Sequence, residues 1–437
     1  MAKTFRAWDV EQVLLLPPSI VDFVPEGHPA HFVRETVREC LDLSAILESY
    51  TEERGYPPYD PRMMTALLLY AYTQGVYSSR RIARGCEERV DFMAITALQK
   101  PDFRTISDFR KRHLAAIGGL FVQVLELCRK AGLVKLGHVA LDGTKIRANA
   151  SKHKAMSYQR MQKAEQDLCE EVAGWLEKAE AIDTSEDAEH GTERRGDELP
   201  AWVSNKQQRL AKIREAKEAL EAEAKRRDPP ASDPEKPRRG RPRKHPPGVP
   251  KPSAQRNFTD PESRIMKTDE GFQQCYNAQA AVDASSQVIV ACEVTQSATD
   301  RNQLKPMVEQ ILANTGQSPR ELSADSDYCS EENLAELDRQ GIRGYVATGK
   351  QQHGKPAPVG TRKRTGERTQ RMQRRLKCGG YRSRYRLRKQ VVEPVFGQAK
   401  SARGFRQFLL RGLEKTTGEW NLVCIAHNLL KLATATV

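Results

Sequence analysis

Residues 138–148 read HVALDGTKIRA. Val139, Ala140 and Leu141 form the short apolar run of a strand buried on both faces, and Asp142 stands at its end, before Gly143. An Asp-Gly pair by itself is most often a solvated turn. Its weight comes from two further acids in related settings. Asp325 closes the apolar run of ELSADSDY (321–328), and Glu393 opens a helical segment in RKQVVEPVFGQAK (388–400). Pro394 then falls where a first helical turn tolerates proline.

Working outward, HVALD predicts the first strand, and FQQCYNAQAAVDA with SQVIVACEVT predicts a hairpin turning at Asp283–Ser286. DRNQLKPMVEQILANTG carries Leu304, Met307, Val308, Ile311 and Leu312 at helical spacing. ELSAD is the fourth strand, SEENLAELDRQG a helix ended by Gly341, GYVATG a further strand, and the segment from Glu393 the last helix. The order strand, strand, strand, helix, strand, helix, strand, helix predicts an α/β, ribonuclease H-like mixed sheet flanked by helices. Mixed order alone is shared by many folds. Acids on the first strand, the fourth strand and the last helix make it specific.

Strand ends hold side chains rigidly, and neighbouring central strands bring Asp142 and Asp325 side by side. Carboxylates converging from separate elements are what two divalent cations about 4 Å apart require for phosphodiester chemistry. In that reading Asp142, Asp325 and Glu393 bind two Mg²⁺ (or Mn²⁺) ions. One ion activates an attacking water or DNA 3′-hydroxyl, and the other stabilises the leaving 3′ oxygen. A strand's period of two also puts Asp327 on the face of Asp325, so Asp327 is a rival ligand.

The whole chain suits a polyanion partner. Its 437 residues hold 71 Lys+Arg against 57 Asp+Glu, a formal charge of +14, which points first to nucleic acid. Nine scattered cysteines without a C-x-x-C pattern predict reduced thiols and no zinc ribbon. The broken run LLLPPSIVDFV is too short for a signal peptide, and no apolar stretch reaches the roughly 20 residues of a membrane span. The expected location is the cytoplasm, beside the nucleoid, with no membrane partner.

VALDGTKIRANAS, ADSDYCSEENL and VEPVFGQAKSARGFRQFLLRGLEK, followed by AHNLLKL, resemble bacterial insertion-sequence transposases of the DDE class. YDPRMMTALLLYAY and DFRTISDFRKRH are similar to the helical N-terminal domain of that group. The resemblance covers nearly all of the chain outside residues 151–260. It implies metal-dependent cleavage and strand transfer at insertion-sequence ends, with Asp142, Asp325 and Glu393 as catalytic metal ligands. It also implies double-stranded DNA as partner, both transposon ends and target, and a homodimer in the DNA complex.

Two positions depart from the pattern. Asp327 replaces the glycine of the usual Ala-Asp-x-Gly-Tyr. In the related Tyr-x-x-Arg-x-x-x-Glu-(six)-Lys signature, Lys400 fits the last lysine, but Tyr385 and Arg388 lie one residue too far from Glu393 and Lys389 takes the arginine's place. Tyr385, Arg388, Lys389 and Lys400 are the expected DNA-backbone contacts near the acids. Two readings compete: a ribonuclease H-like nuclease without strand transfer, and an inactive DNA-binding transposon descendant.

Three regions surround this core. Residues 1–135 are expected to form a helical N-terminal domain that binds DNA ends, with Pro61 opening one helix. Ser107 is the expected cap of a long helix that Gly132 ends. Ser78, Ser79, Arg80, Arg81, Arg84, Arg104, Arg110, Lys111 and Arg112 are its candidate contacts. The catalytic domain comprises residues 136–150 and 261–437. Residues 151–260 are expected to be a helical, partly disordered insertion: two polar helices with a stripe of Leu210, Ile213, Ala216 and Leu220, most simply a solvated arm. Gly240 to Lys244 then resemble an AT-hook, with Arg241 and Arg243 in a narrow minor groove. Residues 355–389 carry fourteen Lys/Arg and one acid, suited to a DNA channel beside Glu393. His113, His138 and His427 lack metal-ligand spacing.

Overall fold

The computed structural model describes residues 19–51, 57–190, 201–227, 246, 248–349, 366–379 and 384–436. Up to residue 130 the described chain is helical: α1 (Pro29–Glu35), α2 (Ser44–Leu47), α3 (Pro61–Thr73), α4 (Ser79–Glu88), α5 (Val90–Thr96), α6 (Phe103–Arg112) and α7 (Leu114–Lys130). Pro61 does open α3, capped by the Asp60 carboxylate accepting from the Arg62 amide at 2.8 Å. The long helix expected from Ser107 is instead two. Asp102 caps α6, Ser107 lies inside it, and the backbone breaks at His113 before α7. Gly132, at φ 73°, turns the chain after α7.

The strands are β1 (His138–Arg147), β2 (Ala155–Ser157), β3 (Gln255–Asn257), β4 (Arg264–Thr268), β5 (Gly271–Asp283), β6 (Ile289–Thr295), β7 (Glu321–Ala324) and β8 (Arg343–Val346). The main sheet runs β4-β5-β1-β7-β8, with β6 also on β5. β1 is antiparallel to β5 and parallel to β7, and β7 is parallel to β8. Leaving out β4, this is the expected five-strand sequence in the spatial order third, second, first, fourth, fifth. The fold is ribonuclease H-like. β1 does not stop at Asp142; it continues to Arg147, paired with β5 throughout, so Asp142 is a mid-strand residue opposite Ala280.

Helices α10 (Leu304–Thr315), α11 (Glu331–Arg339), α12 (Glu367–Gly379), α13 (Leu387–Gly397) and α14 (Leu413–Thr436) complete the core. Glu393 does not begin a helix, and its helix is not the last: α13 starts six residues earlier, and Pro394 sits inside it. A proline there deprives the carbonyl of Gln390 of its helical partner. The Gln287 side-chain amide donates to that carbonyl at 2.9 Å, while the Gln287 backbone carbonyl accepts from His427 Nε2 at 2.8 Å. The hairpin turn before β6 thus ties α13 and α14 together. α14 packs on α7, α3 and β6, so a single apolar core extends from Val24 to Leu432.

The insertion contains α8 (Tyr158–His190) and α9 (Ala201–Arg227). Glu171 pairs with Lys206, Glu165 with Arg214 and Lys217, and Tyr158 with Glu221, so the helices run antiparallel. Ile213, Ala216 and Leu220 face Tyr158, Met161 and Leu168 in a small core of their own. The segment holding Arg241 and Arg243 lies outside the described residues.

Candidate active site

β1, β7 and α13 bring the three acids toward one end of the sheet. Asp142 lies two residues past the last β1 residue paired with β7. Asp325 follows the end of β7, where the chain leaves the sheet in a tight turn at 326–328. The Asp325 carboxylate caps this turn by accepting from the Asp327 amide at 2.9 Å. Strand alternation therefore ends at Ala324 and does not put Asp327 on the face of Asp325; Asp327 is exposed while Asp325 is half-buried.

Arg388 joins Asp142 to Glu393. Its Nη1 donates to Asp142 Oδ2 at 2.5 Å and its Nη2 to Glu393 Oε1 at 3.2 Å. The arginine is 9% exposed, so this cation is enclosed by protein rather than offered to a DNA backbone. Burial pushes the Asp142 carboxyl up to about 7, with Asp325 and Asp300 adding to the rise and Arg388 opposing it. Asp325 is also raised, first by burial. The site concentrates negative charge beyond what one guanidinium neutralises.

Asp300 belongs to a cluster that sequence reasoning missed. Its Oδ1 accepts from Asn277 Nδ2 and Gln279 Nε2, each at 2.6 Å, and the Tyr328 hydroxyl donates to Gln279 Oε1. This cluster packs on the α-carbon of Gly143. A β-carbon there would collide with Gln279 Nε2 and stand 2.6 Å from Asp300 Oδ1. The glycine after Asp142 is thus required by close packing within a strand, not by a turn. A signal was present: Asn277 and Gln279 are two polar residues at strand spacing amid the apolar Tyr276, Ala278, Ala280, Ala281 and Val282.

The remaining predicted contacts divide. Tyr385 is buried, with Arg388 6.0 Å from its ring centroid, and Lys389 is half-buried. Lys400 lies in a π-turn continuing α13, and its ammonium donates to the Lys145 carbonyl of β1 at 2.8 Å. Residues 351–365 and 380–383 of the basic stretch lie outside the described residues, and the part between forms α12.

Comparison with known families finds two matches along the chain. Residues 18–112 match a family described as a transposase domain (DUF772), and residues 244–429 match the transposase DDE domain. The chain belongs to the insertion-sequence DDE transposases. No curated protein and no solved structure matches it. The DDE match includes Asp325, Asp327 and Glu393; Asp142 precedes it, across the insertion.

DDE transposases generally depend on divalent metal. The acids of this transposase fit such ions in donor chemistry, since carboxylate oxygens suit hard cations and the surplus charge around Asp142 calls for a cation. Among the described residues, however, no three His, Cys, Asp or Glu side chains are grouped closely enough to hold an ion. The neutralising group in this arrangement is Arg388.

In the N-terminal region of the transposase, Arg110 is a correction. It is 3% exposed and donates to the Tyr72 hydroxyl at 3.1 Å and the Tyr77 carbonyl at 3.0 Å, so it braces α3 against α6 and has no surface for DNA. Arg112 is exposed, with Nη2 donating to the Ser49 carbonyl at 2.8 Å and its guanidinium over Tyr50. Arg80 and Arg104 flank the Phe103 ring. His113, His138 and His427 are all buried. No helix of the described residues is long and apolar enough to cross a membrane.

Proposed function

We propose that this transposase cleaves DNA at the ends of an insertion sequence and transfers the strands to target DNA, with Asp142, Asp325 and Glu393 holding two Mg²⁺ or Mn²⁺ ions. The observation that carries the reading is the shared guanidinium of Arg388. It bridges a central-strand aspartate and a helix-borne glutamate, with a third acid, Asp325, near enough to help raise the Asp142 carboxyl. When bound, the metal ions supply Lewis-acid polarisation of the phosphodiester and charge neutralisation at the leaving oxygen.

The protein's own residues orient and confine. β1 and the tight turn after β7 fix two carboxylates, and α13 presents the third, 45% exposed, at the solvent side where DNA arrives. The Asn277–Gln279–Asp300 cluster packs β5 closely against Gly143, next to Asp142 on β1. Lys389 on α13 and Lys400 in the turn that continues it are the lysines nearest Glu393 in sequence, suited to phosphate contact. Residues 1–135 supply end recognition in this reading, residues 136–150 and 261–437 the chemistry, and a homodimer the pairing of two ends.

The test uses DNA carrying the element's own ends. Asp142→Ala, Asp325→Ala and Glu393→Ala should each reduce Mg²⁺-dependent cleavage by at least about 10³-fold while gel-shift affinity stays within about twofold. Full cleavage by the Asp325→Ala protein would move that role to Asp327. Cleavage without joined product in the wild type would leave a nuclease.

A further inference from the structure

The root of the insertion arm holds a second basic site. Along α8 and α9, Glu165 is committed to Arg214 and Lys217, and Glu171 to Lys206. At the base, Glu223 takes both Arg256 and Arg264, each at 2.8 Å. Between the two helices and β2, however, lies a cavity of about 370 Å³ whose rim is His153, Lys154, Arg160, Arg209 and Lys212. No carboxylate lines it. Its floor is apolar, made by Met156, Ile213 and Phe258.

Four exposed cations and a histidine around one opening repel one another, and the fold has placed the neighbouring acids elsewhere. Such an arrangement is relieved by a polyanion. The Glu223–Arg264 pair joins the arm to β4 of the catalytic sheet, and hydrogen bonds close the root itself. Asn257 Nδ2 donates to the Ser151 carbonyl at 2.8 Å, the Phe258 amide to the Lys154 carbonyl at 3.0 Å, and the Tyr158 amide to the Ala254 carbonyl at 2.7 Å. The chain leaving β1 is held in turn by Asn149 Nδ2 on the Leu409 carbonyl at 2.8 Å.

We propose that this cavity grips the backbone of duplex DNA, with phosphates on the cationic rim and a deoxyribose edge against Met156 and Phe258. The arm is then a DNA clamp that fixes the duplex relative to the strand carrying Asp142. The proposal rests on the transposase reading above, and its test separates the two.

Binding of the full chain to a fluorescein-labelled 30-base-pair duplex of arbitrary sequence is measured by anisotropy across roughly 50–200 mM KCl. Arg209→Gln/Lys212→Gln should lower the magnitude of the slope of log K against log salt by about 2, and weaken binding about tenfold or more at the low-salt end. Lys154→Glu, on a different element, should weaken it in the same direction. Arg214→Gln/Lys217→Gln, on the paired side of the arm, should leave the slope within about 0.5 of the wild type. Lys154, Arg209 and Lys212 are all exposed, so an unaltered melting profile is expected. Wild-type binding with an unchanged slope in both rim variants, or an equal loss in the paired-side variant, overturns the clamp alone. A wild type that binds no duplex overturns the clamp and the DNA-processing reading together.

Discussion

Asp142 sits on a central strand with Asp325 and Asp300 nearby and shares one guanidinium with Glu393; Glu165, on the insertion arm, has Arg214 and Lys217 to itself. The consequences run in opposite directions. Burial drives the Asp142 carboxyl up, while the hydrogen bond from Lys217 holds the Glu165 carboxyl below its ordinary range. In the sheet, negative charge is deprived of water and outnumbers its cation. On the arm, water screens every pair, and the acids that are satisfied there leave the root with unmatched positive charge. The first environment is built to need a cation, and the second to need an anion.

The contrast is broken most forcefully at Arg388. Arg388→Ala leaves Asp142 and Glu393 without their guanidinium, and the unfolding free energy of the metal-free protein should fall by about 3–5 kcal/mol in urea denaturation. Adding Asp142→Asn should restore part of that loss, because the uncompensated charge disappears. A loss below about 1 kcal/mol would mean that solvent, not Arg388, neutralises the site.

A pH series sharpens the same point. The folded pKa of Asp142 is raised to about 7 from 3.8, so the native state holds the proton more tightly than the unfolded chain. Its contribution to stability is therefore full below pH 4 and is lost as pH rises toward 7, by about 1.4 kcal/mol per unit. In chelator-containing buffer, Asp142→Asn should gain roughly 3 kcal/mol on the wild type across that window. A difference that does not vary with pH would show that Asp142 is fully charged throughout. The smallest effect belongs to the arm: Lys217→Ala should change stability by less than about 1 kcal/mol, because its pair with Glu165 is partly exposed and Arg214 still pairs with that carboxylate. A loss comparable to that of Arg388→Ala would erase the distinction between the two regions.

Much of the fold was legible because apolar periodicity reports burial directly. β5, β6, β7, β8 and α10 occupy the segments their patterns predict, and the spatial strand order follows. Boundaries were less legible where a tertiary partner substitutes for a local rule. Pro394 reads as a helix start, yet it lies mid-helix because Gln287 satisfies the carbonyl it leaves without a partner. Ser107 reads as a cap, yet Asp102, five residues earlier, caps α6, and α7 begins afresh after His113. Asp327 reads as lying on the face of Asp325 only while the strand is assumed to continue.

The sequence by itself singled out Asp142, Asp325 and Glu393 as candidates, because an aspartate ending an apolar run carries its strand assignment with it, and because the family motifs surround Asp325 and Glu393. It also determined that the chain is basic enough to meet DNA. Only the tertiary structure decided what each charge faces. Arg388 and Arg110 look alike in sequence to the arginines of any basic surface, but one neutralises two acids from different elements and the other braces two helices from inside. The root of the arm owes its cationic opening to the pairing of α8 with α9, which draws the acids to other faces. Charge type is local and is written in the chain; charge partnership depends on distance and burial, which arise only when remote segments meet.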